Sequence, residues 1–262
     1  MNLDLTNKTA LVCGASQGLG LATAKELAML GANVIVSSRN EEKLRSITTQ
    51  LDTGKGQKHT YLPLDLSQPE AVKDTVGAFL ARGNVIHILI NNAGGPPSGP
   101  MIDTDAAEIE KAFRTHVISR HLLAQLVVPG MRSEGYGRIV NIVSTSVKQP
   151  INGLGISNLV RAAVANWAKT LANEISSYGI TINNVLPGFT NTDRINYLFD
   201  KQASDQGTSK EDIMKKTVEA IPAKRIGEPS EFGAAVAFLC SPAAAYINGI
   251  NLPVDGGRTG SL

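Results

Sequence analysis

Cysteine is scarce in this chain: of 262 residues only Cys13 and Cys240 carry thiols. They stand far apart with no CxxC pair, which excludes a disulfide framework and a structural zinc site. No metal is expected. Both read as packed thiols, Cys13 in a buried turn and Cys240 at the end of an apolar helix. Charge of one sign is lacking as well. The formal net charge is +2, with no basic or acidic block, so neither nucleic acid nor a membrane surface is an expected partner. No apolar run reaches membrane-spanning length. Residues 1–6 lack the basic-then-apolar layout of a signal peptide. The expectation is a soluble cytoplasmic protein. Apolar residues make up 42%, an ordinary globular share, and the length suffices for a sizeable core.

Short apolar runs at 9–12, 33–37, 60–65, 86–90, 138–143, 181–186 and 250–254 read as strands. Helical patterns fall between them at 21–28, 41–51, 69–82, 106–128, 158–176 and 229–239. This alternation predicts an α/β fold, a doubly wound seven-stranded parallel sheet in a single domain over 1–262. Pro63 donates no N–H, so the third strand is irregular or at an edge there. Pro129-Gly130 is expected to end the long fourth helix. Residues 190–225 are more polar, with a helical pattern at 212–220, and read as an insert over a site. In such sheets ligands sit beyond the carboxyl ends of the strands, where strand order reverses.

The stretch Gly14-Ala15-Ser16-Gln17-Gly18-Leu19-Gly20 lies between the first strand and the first helix. Its glycines permit a tight turn and close approach of the backbone to a ligand. The free N–H groups and dipole of the following helix suit a pyrophosphate. The same spacing also serves a plain turn with close helix–strand contact. Four further loops follow strand ends: Ser38-Arg39, Asp65-Leu66, Asn92-Ala93-Gly94, and Pro187-Gly188 with Thr190.

With Asn91-Asn92-Ala93-Gly94 on the page, the chain resembles the short-chain dehydrogenase/reductase family, close to its 3-oxoacyl-carrier-protein reductase branch. The glycine loop, Pro187-Gly188, Arg225-Ile226-Gly227-Glu228-Pro229 and Val254-Asp255-Gly256-Gly257 match further motifs in order. The resemblance implies a Rossmann-type fold, a nicotinamide dinucleotide cofactor, a small carbonyl or alcohol substrate, and a homodimer or homotetramer. In relatives the helices at 106–128 and 158–176 pair across a two-fold axis. Leu122, Leu123, Leu126, Val160, Val164 and Trp167 are candidates for that contact or for the core.

An acidic residue at the end of the second strand would bind a ribose diol and repel a 2′-phosphate. Here Ser38 and Arg39 stand there, a neutral donor and a planar cation. NADP(H) is therefore favoured over NAD(H), although Arg39 has Glu41 and Glu42 as alternative partners. Gln17 stands where many NADP-binding relatives carry a basic residue. The resemblance gives Asp65 the adenine amino group, or it is an ordinary helix cap. It sets Asn92, Ala93 and Gly94 along the ribose.

Proton chemistry in the family uses a tyrosine four residues before a lysine on one helix, a serine at a strand end, and an asparagine. Of these only the serine is retained, as Ser144. The tyrosine position holds Ser157, the lysine position Arg161, and the asparagine position His116. An aliphatic hydroxyl is far less acidic than a phenol, whose pKa is about 10. Arg161 can still meet ribose hydroxyls but cannot give up a proton, its pKa being above about 12. His116 would suit acid–base work, with an unperturbed pKa of about 6.5, or it is a packing histidine. Ser157 either binds substrate or caps its helix. The expected function is NADP(H)-dependent oxidation–reduction with an altered proton path. The alternative is nucleotide binding with little or no turnover.

Overall fold

The computed structural model describes residues 1–261. Seven strands form one parallel sheet, in the order β3-β2-β1-β4-β5-β6-β7. They are β1 (Thr9–Cys13), β2 (Asn33–Ser38), β3 (Thr60–Pro63), β4 (Ile88–Asn91), β5 (Gly137–Ile142), β6 (Ile180–Pro187) and β7 (Asn251–Val254). Side chains alternate across each strand. Val12, Ile90 and Val140 face one layer, where Ala24 and Leu27 of α1 (Gly18–Met29) and Phe232 and Val236 of α9 (Pro229–Cys240) close over them. Leu11, Leu89, Ile139 and Ile182 face the other. They meet Val72 and Val76 of α3 (Pro69–Leu80), Leu123 and Val127 of α5 (Ser119–Ser133), and Ala168 and Ala172 of α6 (Gly155–Ile175). Burial on both faces explains why the strands read as continuous apolar runs. Pro63 lies on the edge strand β3, where a missing N–H breaks no ladder.

The order reverses between β1 and β4, which sets the ligand crevice at their carboxyl ends. Along that rim a row of asparagines crosses the sheet in register. Asn91 pairs with Asn141, Asn141 with Asn184, and Asn184 with Asn251. Each amide nitrogen donates to the next amide oxygen, at 3.0, 2.9 and 2.8 Å.

Several elements differ from the sequence reading. The fourth helix is not one piece to Val128. It runs as α4 (Ala106–Phe113), a π-helical turn (Arg114–Ile118) and then α5, which continues through Pro129 to Ser133. A proline costs one ladder bond inside a helix. Here Leu123, Val127 and Met131 are buried on both sides of it and hold the helix together. α6 begins at Gly155 rather than 158, with Gly155 packed so closely on Met101 that a Cβ would lie 2.8 Å from its Cα. The helix α2 (Glu41–Thr48) stops before Leu51. The insert holds two helices, α7 (Asp193–Gln206) and α8 (Lys210–Glu219), of which only the second has a clear sequence signal. Among the described residues no helix is long and apolar enough to cross a membrane.

Candidate active site

The glycine loop is built around two close approaches. Gly14 has φ +60°, and a Cβ there would lie 2.7 Å from Asn92 Nδ2. A Cβ on Gly20 would lie 2.2 Å from the Gly14 carbonyl oxygen. Asn92 Nδ2 donates to that same oxygen at 3.2 Å. The turn after β4 thus clamps the turn after β1, and Ala93 and Gly94 follow at the mouth of the crevice. Gly18 is left-handed, with φ +56°, and opens α1, whose N-cap Gln17 gives no side-chain bond. The first N–H groups of α1 therefore keep no capping partner from Gln17. Ser16 and Leu19 are half-buried in the same turn. This is a cradle that fits a dinucleotide phosphate.

At the end of β2, Ser38 Oγ accepts from the Asn40 N–H at 3.3 Å, which leaves its own proton for a ligand. Arg39 is exposed. Lys43 of α2, unremarked in the sequence, reaches back to donate to Gln17 Oε1 at 3.2 Å. A lysine thus covers the place where Gln17 carries no charge. Asp65 is not a helix cap, since the N-cap of α3 is Gln68. Its Oδ1 instead accepts the Ser67 N–H and hydroxyl at 2.9 and 2.8 Å, closing the turn at Leu66. Burial disfavours its charge, but those bonds and the Arg39 cation hold the carboxyl below the ordinary range. On the far side, Gly188 lies against Asp255, where a Cβ would meet its Cα at 2.6 Å, and Thr190 bridges to Gly227. Pro187 ends β6 directly above.

Ser144 follows β5, and its Oγ accepts from the Ser146 N–H at 3.1 Å. Ser157 and Arg161 lie one turn apart on α6, with relative exposures of 9% and 6%. Ser157 is inside the first turn of α6 and is not its cap, which is Leu154. Arg161 Nη1 donates to the Ile142 carbonyl at 3.0 Å, two residues before Ser144. Burial lowers its pKa to about 10, so it stays charged near neutrality.

A second guanidinium shares that carbonyl: Arg120 Nη2 donates to Ile142 O at 3.3 Å. Arg120 is 1% exposed, and its Nε and Nη1 have no partner. Burial first, then the Arg161 charge, pull it well below its ordinary value. Sequence reading missed this residue. Its signal was an arginine on the apolar stripe that carries Leu123, Ala124 and Val127. His116 lies in the π-helical turn, buried, with Nδ1 unpartnered. Burial, then Arg161 and Arg120, push its pKa down to about 2, so it is a neutral imidazole at pH 7. It holds no proton to give as an acid there. Cys13 sits below Arg120, and burial pushes its thiol up to about 12, an inert packed group as expected.

A cavity of about 640 Å³ opens at Ser144. Ser144, Thr145, Pro187 and Gly188 form its floor, and Ile195, Leu198 and Phe199 of α7 form its outer wall. Of the residues considered for helix pairing, Leu123, Val160 and Val164 are fully buried in the core. Leu122, Leu126 and Trp167 are half-buried.

Residues 14–259 match a family model described as enoyl-(acyl carrier protein) reductase. The chain is 35% identical over 258 residues to a 3-oxoacyl-[acyl-carrier-protein] reductase of Vibrio cholerae, covering 97% of this chain and 98% of the relative. It is 36% identical over 254 residues to a 2-dehydro-3-deoxy-D-gluconate 5-dehydrogenase of Bacillus subtilis, covering 97% and 95%. In structure it is similar to the L-sorbose reductase of Gluconobacter frateurii complexed with NADPH and L-sorbose, with a TM-score of 0.93, 28% identity and full coverage of both chains. These matches run through the glycine loop, the asparagine turn and the β6 end described above, and the chain belongs to the short-chain dehydrogenase/reductase family.

Proposed function

We propose that the protein is an NADP(H)-dependent oxidoreductase acting on a carbonyl/alcohol pair, with an altered route for the proton. The observation that carries this is the Gly14–Gly20–Asn92 cradle at the sheet's switch point. Gly14, Ser16, Gln17, Gly18, Leu19 and Gly20 hold the pyrophosphate, and Asp65 with Leu66 receives the adenine. Ser38, Arg39 and Lys43 meet the 2′-phosphate. Asn92, Ala93, Gly94 and Arg161 take the ribose nearer the reacting ring, with Pro187, Gly188 and Thr190 on its other side. NADPH, when bound, supplies the hydride.

The rest falls to the chain. In the reducing direction the carbonyl carbon gains a hydride and the oxygen a proton. Ser144 and Ser157 offer hydroxyls that orient that oxygen. Arg161 stabilises negative charge developing there but cannot protonate it. His116, neutral and enclosed, has no proton to offer near pH 7. The proton then comes through solvent by way of Ser157, without the gain of about 10²- to 10⁴-fold that a positioned acid brings. That same lack of a titrating group near neutrality favours a second reading, nucleotide binding with little turnover.

NADPH oxidation measured over ketone, quinone and 3-oxoacyl substrates tests the proposal. Slow but saturable turnover that disappears in Gly20→Ala supports it. Tight NADPH binding with no oxidation of any of them moves the assignment to the second reading. We expect a homodimer or homotetramer through α5 and α6, where Leu159 remains 42% exposed. Light scattering decides that point.

A further inference from the structure

The cavity beside Ser144 carries information about what fills it. Its lining includes six large apolar side chains, Val143, Ile151, Leu154, Phe189, Leu198 and Phe199. Ser98, Asn152, Gln202 and Gln206 line it too, but more of the exposed lining is apolar than polar, and a substrate with an apolar body buries that surface. The cavity therefore suits an apolar body.

Charge enters at two points. Lys201, on α7, also lines the cavity, and its Nζ donates to Ser98 Oγ at 2.9 Å. Two of its three N–H bonds remain for a ligand. Arg258, beyond β7, also lines the cavity, with its guanidinium 4.8 Å from the centre of the Phe189 ring. Among the described residues neither cation makes an ion pair, whereas Lys210, at the start of α8, pairs with Asp200 of α7. One carboxylate lines the same space, Asp205, a turn beyond Lys201 on α7 and not within ion-pair distance of it. Two cations against one carboxylate leave the cavity positive.

We infer that the substrate is an apolar oxo acid, or the matching hydroxy acid, whose carboxylate stands away from the reacting carbon and is drawn in by the charges of Lys201 and Arg258. This rests on the oxidoreductase reading of the site and names the substrate class for it. Lys201 contributes a point charge on a flexible stem, and Arg258 a planar fork that matches a carboxylate. The reaction balances as for any ketone. The oxo carbon takes a hydride from NADPH, its oxygen takes a proton from solvent, and the carboxylate is unchanged.

The test compares 7-oxooctanoate with its methyl ester, which differ in charge and little in apolar length. NADPH oxidation gives kcat/KM for each, and thermal shift in the presence of NADPH gives binding for each. The acid is expected to be favoured by about tenfold, the scale of a charge-assisted contact in a sheltered site. In Lys201→Met/Arg258→Met the ratio of acid to ester is expected to fall to about one. An ester equal to or better than the acid overturns the inference, as does a ratio unmoved by the double substitution. So does failure of both compounds to bind protein that NADPH protects from heat. Failure of NADPH itself to protect the protein would instead sink the oxidoreductase reading. A site that binds but does not turn over still decides the matter through the thermal-shift ratio.

Discussion

At the scale of single residues, two buried groups near Arg161 carry testable claims. His116 is neutral in the fold, with its pKa near 2. In the unfolded chain it titrates at about 6.5. Between those values the unfolded chain binds the additional proton, so stability falls as pH drops through the window. Melting temperatures from pH 8 to pH 4 should decline more steeply for the wild type than for His116→Asn. His87, which burial also lowers, remains in both and cancels. Equal slopes would mean that His116 is protonated in the folded state. Arg120 makes a different claim. A buried cation with two unpartnered N–H positions is a burden that an apolar side chain would not carry. Arg120→Leu should melt no lower than the wild type, since Arg161 still satisfies the Ile142 carbonyl. A loss of several degrees would show that the guanidinium meets more than its visible partners.

At the scale of elements, α6 is where the proposed proton route can be tested. Ser157 and Arg161 occupy one face, a turn apart. Ser157→Tyr with Arg161→Lys restores an acidic phenol and a lysine to lower its pKa. NADPH oxidation should then rise by at least about tenfold, within the 10²- to 10⁴-fold reach of general acid catalysis. No rise would locate the deficit elsewhere in the pocket. Much of this was legible beforehand. Strand runs such as Ile88–Asn91 and β-turn glycines such as Gly14 follow from local pattern, and so the sheet and its phosphate cradle could be placed. The same was true of Pro63 on an edge. The course of the helix through Pro129 was not, because burial of Leu123, Val127 and Met131 outweighs a local breaker. Nor was the start of α6, which depends on how Gly155 fits against Met101. Arg120 and Lys43 were hidden for the same reason: their meaning lies in contacts to Ile142 and Gln17, distant in the chain.

At the scale of the whole molecule, the cofactor should act as a brace. The cradle joins the turn after β1 to the turn after β4, while Arg39 and Arg161 approach from β2 and α6. A ligand touching all four ties both halves of the sheet. At a concentration of about 100 times Kd, binding adds about 2.7 kcal/mol to stability. For a chain of this size that is a rise in Tm of about 5–10 °C. NADPH should produce it at lower concentration than NADH, because Ser38, Arg39 and Lys43 offer donors and charge to a 2′-phosphate alone. Equal midpoints in a titration followed by differential scanning fluorimetry would assign those three residues to the surface.

The asparagine row along the sheet rim also has a direction. From Asn91 to Asn251 each amide gives its hydrogen the same way, so no member can turn over without its neighbours turning too. Deamidation at one position would set two oxygens face to face across adjacent strands. Held in strands, these asparagines should deamidate in warm alkaline buffer only once the sheet opens, after the exposed Asn152-Gly153 step before α6 has reacted.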